Sequence, residues 1–158
     1  MKKYQIKLSV SRLEKENIVT EDTFGADFLE LENDGIISVI SPVTFKLEAQ
    51  LHASGIVIRG TAAVKISGEC GRCLTPVEQD VTSEYTLFLD ELGSEDEIDI
   101  AEDIREELLL AFPANIICSE DCLGLCPYCG VNLNKKSCKC KDAAPAAPSP
   151  WDALDQLK

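Results

Sequence analysis

The chain has little histidine, few aromatic residues and few basic residues. Of its 158 residues, one is histidine, one is tryptophan and 6% are aromatic. The single histidine, His52, falls on a predicted hairpin loop far in sequence from every cysteine, which disfavours a role as a catalytic base or metal ligand. Lysine and arginine number 15 against 28 acidic residues, so the formal net charge is −13. This charge argues against a broad nucleic-acid-binding surface and favours a basic protein partner or a local RNA contact.

Long apolar runs are also missing. No stretch is apolar enough over enough residues to span a bilayer, and the first residues begin with lysine but then alternate polar and apolar side chains, unlike a signal peptide. We therefore expect a cytoplasmic protein with no membrane partner. The eight cysteines are better explained in that compartment by metal than by disulfides, which are the alternative.

Six of the eight cysteines lie between Cys118 and Cys140. In this stretch the motif C-P-Y-C-G at 126–130 has the form of a zinc knuckle, and C-K-C at 138–140 adds a second pair of thiols. Two turns with two sulfurs each can close a tetrahedron around Zn²⁺, and such all-sulfur sites are structural. The spacing predicts one zinc site, with the ligands Cys126, Cys129, Cys138 and Cys140.

The other four cysteines allow a second zinc site. They are Cys70, Cys73, Cys118 and Cys122, of which the first two form a Cys-x-x-Cys motif in a predicted turn between strands. A redox dithiol would require a helix start within a βαβ unit, which the flanking strand patterns disfavour. Two alternatives stay open: a pair of buried structural thiols at 70 and 73, or a ribbon that uses Cys122 and leaves Cys126 free.

Alternating apolar residues predict an antiparallel sheet. The alternating or apolar runs are 3–10, 36–40, 43–51, 56–66 and 77–89. The third and fourth are joined by a predicted hairpin loop in which Gly55 takes a positive φ. Residues 11–33 are charged and irregular, and we predict a linker there. The predicted fold is α+β: a curved antiparallel sheet or partial barrel packed with one main helix.

That helix is predicted over about 99–112. Ile100, Ile104 and Leu108 recur at helical spacing, Asp99 with Glu102 has the form of a capping box, and a proline follows. The outward carboxylates are either an ordinary solvated face or a docking face for a basic partner. They are Glu102, Asp103, Glu106 and Glu107.

The C-terminal region predicts a tether followed by a short amphipathic helix. The Ala/Pro run at 142–150 favours an extended linker, and Trp151, Leu154 and Leu157 share one helical face in the terminal motif at 151–158. So short a helix is not stable alone, so it docks on its own domain or on another protein. The predicted organisation is a β-rich core at 1–117, a cysteine-rich segment at 118–141, then linker and terminal motif.

A local cluster of lysines accompanies the cysteine-rich segment. Its members are Lys135, Lys136, Lys139 and Lys141. They are candidates for contact with RNA phosphates, and the alternative is a solubilising role on an exposed loop. With no phosphate-binding glycine loop and no catalytic spacing of carboxylates, we expect neither catalysis nor a small-molecule substrate.

Taken together, several motifs resemble the bacterial YceD family. They are E-C-G-R-C-L at 69–74, the helix D-I-A-E-D-I-R-E-E-L-L-L-A-F-P, G-L-C-P-Y-C-G-V-N-L-N at 124–134, C-K-C, and the terminal W-x-x-L-x-x-L-K. Members are described as large-subunit ribosomal RNA accumulation proteins. The resemblance implies a non-enzymatic role in ribosome assembly, in cytosol or plastid, with precursor rRNA or a basic ribosomal protein as partner. The alternatives are a zinc-stabilised adaptor unrelated to ribosomes and a cysteine-dependent redox enzyme.

Overall fold

The computed structural model describes residues 4–31, 36–90 and 96–140. Lys141, the predicted linker and the terminal motif with Trp151, Leu154 and Leu157 lie outside these ranges. The described strands are β1 (Lys7–Ser9), β2 (Ile18–Phe24), β3 (Ile37–Val39), β4 (Val43–His52), β5 (Gly55–Glu69), β6 (Pro76–Leu89) and β7 (Glu97–Asp99). The helices are α1 (Val10–Leu13) and α2 (Ala101–Leu110), and Ala26–Leu29 forms a 3-10 turn.

The main sheet is antiparallel and is built around β5, which is 15 residues long. β6 pairs with one edge of β5 without interruption, from Ile56 opposite Leu89 to Glu69 opposite Pro76. β4 and then β3 pair with the other edge of β5. β2 completes the sheet on the far side of β4. The predicted mostly-β architecture with one main helix is confirmed. Over the described residues β2 and β6 remain at opposite edges, so the sheet does not close into a barrel.

A break at Pro42 separates β3 from β4. Proline has no amide hydrogen to donate to the neighbouring strand, and the ladder to β5 is interrupted there. The Ser41 side chain compensates, because its Oγ accepts from the Lys65 amide at 2.8 Å. The Ile40 amide donates to the Lys65 carbonyl at 2.9 Å. The chain is thereby interrupted between β3 and β4 while both backbone groups of Lys65 keep hydrogen-bond partners.

One face of the sheet carries the hydrophobic core. Alternate residues of β4, β5 and β6 point inward, as the sequence period of two predicts. Ile104 and Leu108 of α2, together with Ile100 just before the helix, cover this face and are fully buried, so the predicted apolar stripe is confirmed. Gly55, which follows the two-residue turn between β4 and β5, has a φ of 144°, as predicted.

The prediction of a linker over 11–33 is wrong. The segment contains α1, β2 and the 3-10 turn, and β2 pairs with β4 over seven residues. The sequence pattern hid this strand because β2 is an edge strand with mostly exposed residues, Glu21 and Asp22 among them. Within β2 only the first residue, Ile18, is buried, and the next buried residue along the chain is Phe28 in the 3-10 turn.

The predictions at the N-terminus and at the helix start also need correction. The strand predicted over 3–10 is limited to β1, which pairs with β7 in a separate two-stranded sheet. The residue that precedes α2 is Ile100, which makes no side-chain cap. Asp99, the predicted cap, lies one residue before the cap position. Its Oδ1 accepts from the amides of Ala101 at 3.1 Å and Ile6 at 3.0 Å. The carboxylate therefore joins β1 to the start of the helix.

A second carboxylate, Asp96, holds the start of α1. Its Oδ1 accepts from the Ser11 amide at 2.8 Å, and its Oδ2 accepts from the Ser9 and Ser11 hydroxyls at 3.1 Å each. The backbone hydrogen bond from Ser11, aided by the hydroxyls, lowers the pKa of Asp96. The folded state thus favours the ionised form of this group.

We expect Asp96→Asn to lower the urea midpoint at pH 7. Because the carboxyl pKa is lower in the folded than in the unfolded protein, its stabilisation is present above the unfolded value of about 3.9 and is lost as pH falls through the folded value. The difference between wild type and variant should therefore be smaller at pH 3 than at pH 7. A difference in midpoint that is the same at both pH values would show that the charge of Asp96 is not responsible.

In the described part of the chain, neither helix is long and apolar enough to cross a membrane.

Candidate metal centres

Two Cys-x-x-Cys turns in the chain have the same backbone geometry. In the first, the Leu74 amide donates to the Cys70 carbonyl at 2.9 Å; in the second, the Gly130 amide donates to the Cys126 carbonyl at 2.8 Å. In each turn the residue after the second cysteine is left-handed, with φ of 56° at Leu74 and 71° at Gly130. Such turns aim backbone amides at the sulfur of the first cysteine, which favours its thiolate.

The first turn belongs to a group that we call the sheet cluster. Its sulfurs lie within 4.8 Å of one another and come from Cys70, Cys73, Cys118 and Cys122. The Sγ atoms of Cys70 and Cys122 are 3.9 Å apart, and those of Cys73 and Cys118 are 3.7 Å apart. Three of the four are buried, and Cys118 is exposed. The cluster joins the β5–β6 connection to the segment that follows α2.

The second turn belongs to the ribbon cluster, which is formed within the C-terminal segment alone. Its four sulfurs also lie within 4.8 Å of one another, and they come from Cys126, Cys129, Cys138 and Cys140. Cys126 is buried, Cys129 is exposed and the other two are half-buried. The structure thus brings the eight cysteines into the two sets of four that their spacing suggested.

The protein environment pushes the thiol pKa values apart within each cluster. The amides of Cys129 and Tyr128 lower the pKa of Cys126 to about 6. Burial raises the pKa of Cys70, but amides including that of Arg72 outweigh this effect and lower it to about 6. Cys118 and Cys140 donate hydrogen bonds to the neighbouring cysteines Cys122 and Cys129 respectively, which favours their protonated forms and raises their pKa values to about 12.

This division of pKa values fits a cation site. Four thiolates within 4.8 Å repel one another, so the fully deprotonated set requires a positive charge at its centre. Four sulfur donors without histidine or carboxylate are a soft set that suits Zn²⁺ or an iron–sulfur cluster. The two groups could therefore each hold a metal ion with all four positions filled by protein sulfur.

Three polar residues that sequence reasoning missed connect the clusters. Arg72 donates from Nη1 to the Glu120 carbonyl at 2.9 Å, and its own carbonyl accepts from the Leu125 amide. Asn134 Nδ2 donates to Cys122 Sγ at 3.3 Å, and Asn132 Nδ2 donates to the Cys73 carbonyl at 3.4 Å. These residues have no periodic signal; their presence in the E-C-G-R-C-L and N-L-N motifs was the available clue.

The other candidate residues are placed as follows. Lys135, Lys136 and Lys139 are exposed on the ribbon, and no acidic residue occurs between Cys122 and Cys140. This part of the surface is basic in an otherwise acidic chain. Lys141, Trp151, Leu154 and Leu157 lie outside the described residues. His52 is exposed at the end of β4.

Leu74 offers a test of the strain in the first turn. A non-glycine residue in the left-handed region costs roughly 1–2 kcal/mol, and the Leu74 side chain is 56% exposed. We expect Leu74→Gly to raise the free energy of unfolding by about 0.5–1 kcal/mol, after the greater freedom of unfolded glycine is subtracted. Leu74→Ala, which keeps the β-carbon, is the control. Denaturant unfolding that shows the glycine variant below the alanine variant would contradict this interpretation.

Comparison with known proteins gives a family match in the C-terminal part of the chain. Residues 90–158 match the family described as Large ribosomal RNA subunit accumulation protein YceD. This confirms the resemblance noted in the sequence. The matched region contains α2 and six of the eight cysteines.

Several curated proteins are similar over shorter stretches. An uncharacterized protein of Mycobacterium tuberculosis is 37% identical over 102 residues, covering 55% of this chain and 49% of that protein. The chloroplastic YCED homolog 1 proteins, named for large ribosomal RNA subunit accumulation, are 36% identical over 70 residues in Zea mays (44% of this chain, 23% of that protein) and 46% over 44 residues in Arabidopsis thaliana (28% and 14%). The chain spans about half the length of the mycobacterial relatives it matches. No solved structure matches it significantly.

Proposed function

We propose that this chain, which matches the YceD family over residues 90–158, is a non-enzymatic ribosome-assembly factor that supports the accumulation or processing of large-subunit rRNA. The family match is the observation that carries the proposal. The maize and Arabidopsis relatives carry the same role in their names. The proposed compartment is the cytoplasm, although the plant relatives are chloroplastic.

Zinc is the proposed metal in both clusters. Bound Zn²⁺ supplies a cross-link between thiolates and no chemistry on a substrate when protein sulfur fills all four positions. The sheet cluster would fasten the C-terminal segment to the end of β5, and the ribbon cluster would give that segment its shape. Each group offers four protein sulfurs, enough to fill a tetrahedral zinc ion, which supports a structural role.

The proposed binding partner is precursor rRNA or a basic ribosomal protein. The exposed ribbon lysines could contact phosphates locally, while the net charge of −13 disfavours a broad RNA surface and suits a cationic protein. The metal centres act by holding these lysines on a fixed frame, because Lys139 lies between two ribbon-cluster cysteines.

Genetic depletion with complementation tests the proposed function. Loss of the protein should lower the ratio of large- to small-subunit rRNA, and the wild-type gene should restore it. We expect the double variant Cys70→Ser/Cys73→Ser to fail, while Leu110→Ala, whose side chain is 80% exposed, should restore the ratio. An unchanged rRNA ratio on depletion would contradict the proposal and leave an adaptor role outside the ribosome.

Salt dependence of RNA binding separates the two partner classes. Each phosphate contact with single-stranded RNA contributes about 0.7 to the slope of log K against log salt. Replacement of Lys135, Lys136 and Lys139 by glutamine should therefore flatten the slope by about 2 if they touch phosphates. The control replaces three lysines outside the ribbon: Lys7, Lys46 and Lys65. An equal slope for wild type and both variants would favour the protein partner.

A further inference from the structure

In the part of the chain that the structure describes, β6 has one long edge without a paired strand. The strand has 14 residues and pairs with β5 along its whole length in one constant register, without a bulge. Within residues 4–31, 36–90 and 96–140, no strand or loop forms backbone hydrogen bonds with its other edge. At about 3.4 Å per residue this edge extends for roughly 45 Å.

Within the described residues, this edge has one of the usual protections against pairing, its charged side chains, and lacks the others. Natural edge strands are blunted by charged residues, especially lysines, and by internal prolines, bulges or a covering element. β6 contains no lysine, and its one proline, Pro76, is the first residue of the strand. α2 packs against β6, but through Ile104 and Leu108, so it covers the inner face of the sheet. The backbone of β6 therefore presents a template for a further strand.

The charges beside this edge have one sign. Glu78, Asp80 and Glu84 alternate along the outer face of β6, and all three are exposed. On the inner side, the charge of Glu107 contributes to raising the pKa of Tyr85, after the larger effect of burial, which places this helix carboxylate near the middle of the strand. The one described cation paired with β6 is Lys65, 3.7 Å from Asp80. An added strand would thus lie beside the outer row of carboxylates, with the single carboxylate of Glu107 on the inner side.

We infer that the free edge of β6 binds an extended, cationic segment of a partner protein by strand addition. Lysine or arginine at alternate positions of that segment would stand opposite the outer acidic row, where opposite charges stabilise cross-strand pairs. A second copy of this chain is disfavoured, because antiparallel β6–β6 pairing would bring Glu78, Asp80 and Glu84 of both copies onto one face. RNA is disfavoured by the same carboxylates. The inference goes beyond the ribosome-related role and is tested independently of it.

The test measures binding of a synthetic peptide to the zinc-loaded full chain. The peptide is an extended 11-mer that alternates lysine with threonine or valine, and a second version carries N-methyl groups on alternate amides. The methylated version keeps the charge but cannot complete a ladder. We expect it to bind at least about tenfold more weakly, since strand addition draws its affinity from main-chain hydrogen bonds. Hydrogen exchange should show new protection in residues 77–89 with the unmodified peptide.

Matched variants test the role of the charges. Glu78→Gln/Asp80→Asn/Glu84→Gln should weaken the unmodified peptide by about tenfold, from the loss of three cross-strand charge pairs. The control Glu21→Gln/Asp22→Asn/Glu48→Gln removes three exposed acidic residues near the opposite edge and should leave the affinity unchanged. Equal binding of the two peptides, protection elsewhere in the chain, protection of 77–89 by an RNA oligonucleotide instead, or dimerisation through β6 would each overturn the inference. Loss of rRNA accumulation plays no part in this readout.

Discussion

Purified protein is expected to contain two zinc ions per chain, and their removal is expected to unfold the C-terminal segment while the sheet stays folded. Each structural zinc contributes an apparent binding free energy of about 10–16 kcal/mol, comparable with the stability of a whole domain. After α2, the described chain to Cys140 has no helix or named strand, apart from the isolated bridge between Leu125 and Asn132. We therefore expect its shape to depend on metal held by the two clusters.

Hydrogen exchange with and without chelator measures this effect. Amides in 118–140 should lose protection first, while those of β4, β5 and β6 keep theirs because their ladders and buried side chains do not involve the metal. Elemental analysis of protein prepared anaerobically with zinc gives the stoichiometry. Iron in place of zinc, or no metal at all, would contradict the zinc assignment, and simultaneous loss of sheet protection would contradict the separation of the two parts.

Paired cysteine variants serve as each other's controls. Cys126→Ser/Cys129→Ser should remove one zinc per chain and leave the sheet cluster intact. Cys70→Ser/Cys73→Ser should also remove one, but it should release the segment from the sheet while the ribbon cluster keeps its zinc, since all four ribbon sulfurs come from 126–140. If either pair of substitutions removes both ions, the clusters do not fold independently.

Acid should also release the metal. Zinc binding requires deprotonated cysteines, and amides lower the pKa values of Cys70 and Cys126 to about 6. A bound cation holds its thiolates deprotonated to lower pH than these metal-free values, so zinc should be released only below them. The neighbouring cysteines, whose pKa values are raised, depend on the cation to deprotonate.

The sequence predicted some of the cysteine groups and strands more directly than others. Ribbon-cluster residues are close in sequence, so spacing alone grouped them. The sheet cluster joins Cys70 to Cys118, and only the path of α2 across the sheet brings these residues together. The period of two predicted β4, β5 and β6 because each buries one face against the same core. β2 escaped detection because an edge strand with exposed acidic residues carries little of that period.

Polar contacts were less predictable than burial. Asp99 was recognised as a helix-start residue, but its carboxylate accepts from Ile6, which is 93 positions away. Asn134 donates to the Cys122 sulfur, which belongs to the other cysteine cluster, 12 positions earlier in the chain. Such contacts depend on the assembled fold, whereas hydrophobic periodicity is a local property of each segment.

The second large effect concerns the helix rather than the metal. Leu108→Ala should lower the free energy of unfolding by about 2–5 kcal/mol, because the truncation of a fully buried leucine loses its transfer energy and leaves a cavity. Leu108 is 0% exposed between α2 and the sheet. The same helix offers a matched control in Leu110, which is 80% exposed, and Leu110→Ala should change stability by no more than about 0.5 kcal/mol.

Denaturant unfolding of both variants, with zinc kept saturating, checks this prediction. Saturating metal matters because any binding to the folded state alone adds to the apparent stability, and it must add equally to the wild type and to each variant. The metal content of the Leu108 variant should remain that of the wild type under native conditions, since its side chain belongs to the main core and not to the apolar group around Cys70. A Leu108 effect no larger than that of Leu110 would mean that α2 does not cover the sheet, and the inner face of β6 would then be open as well as its edge.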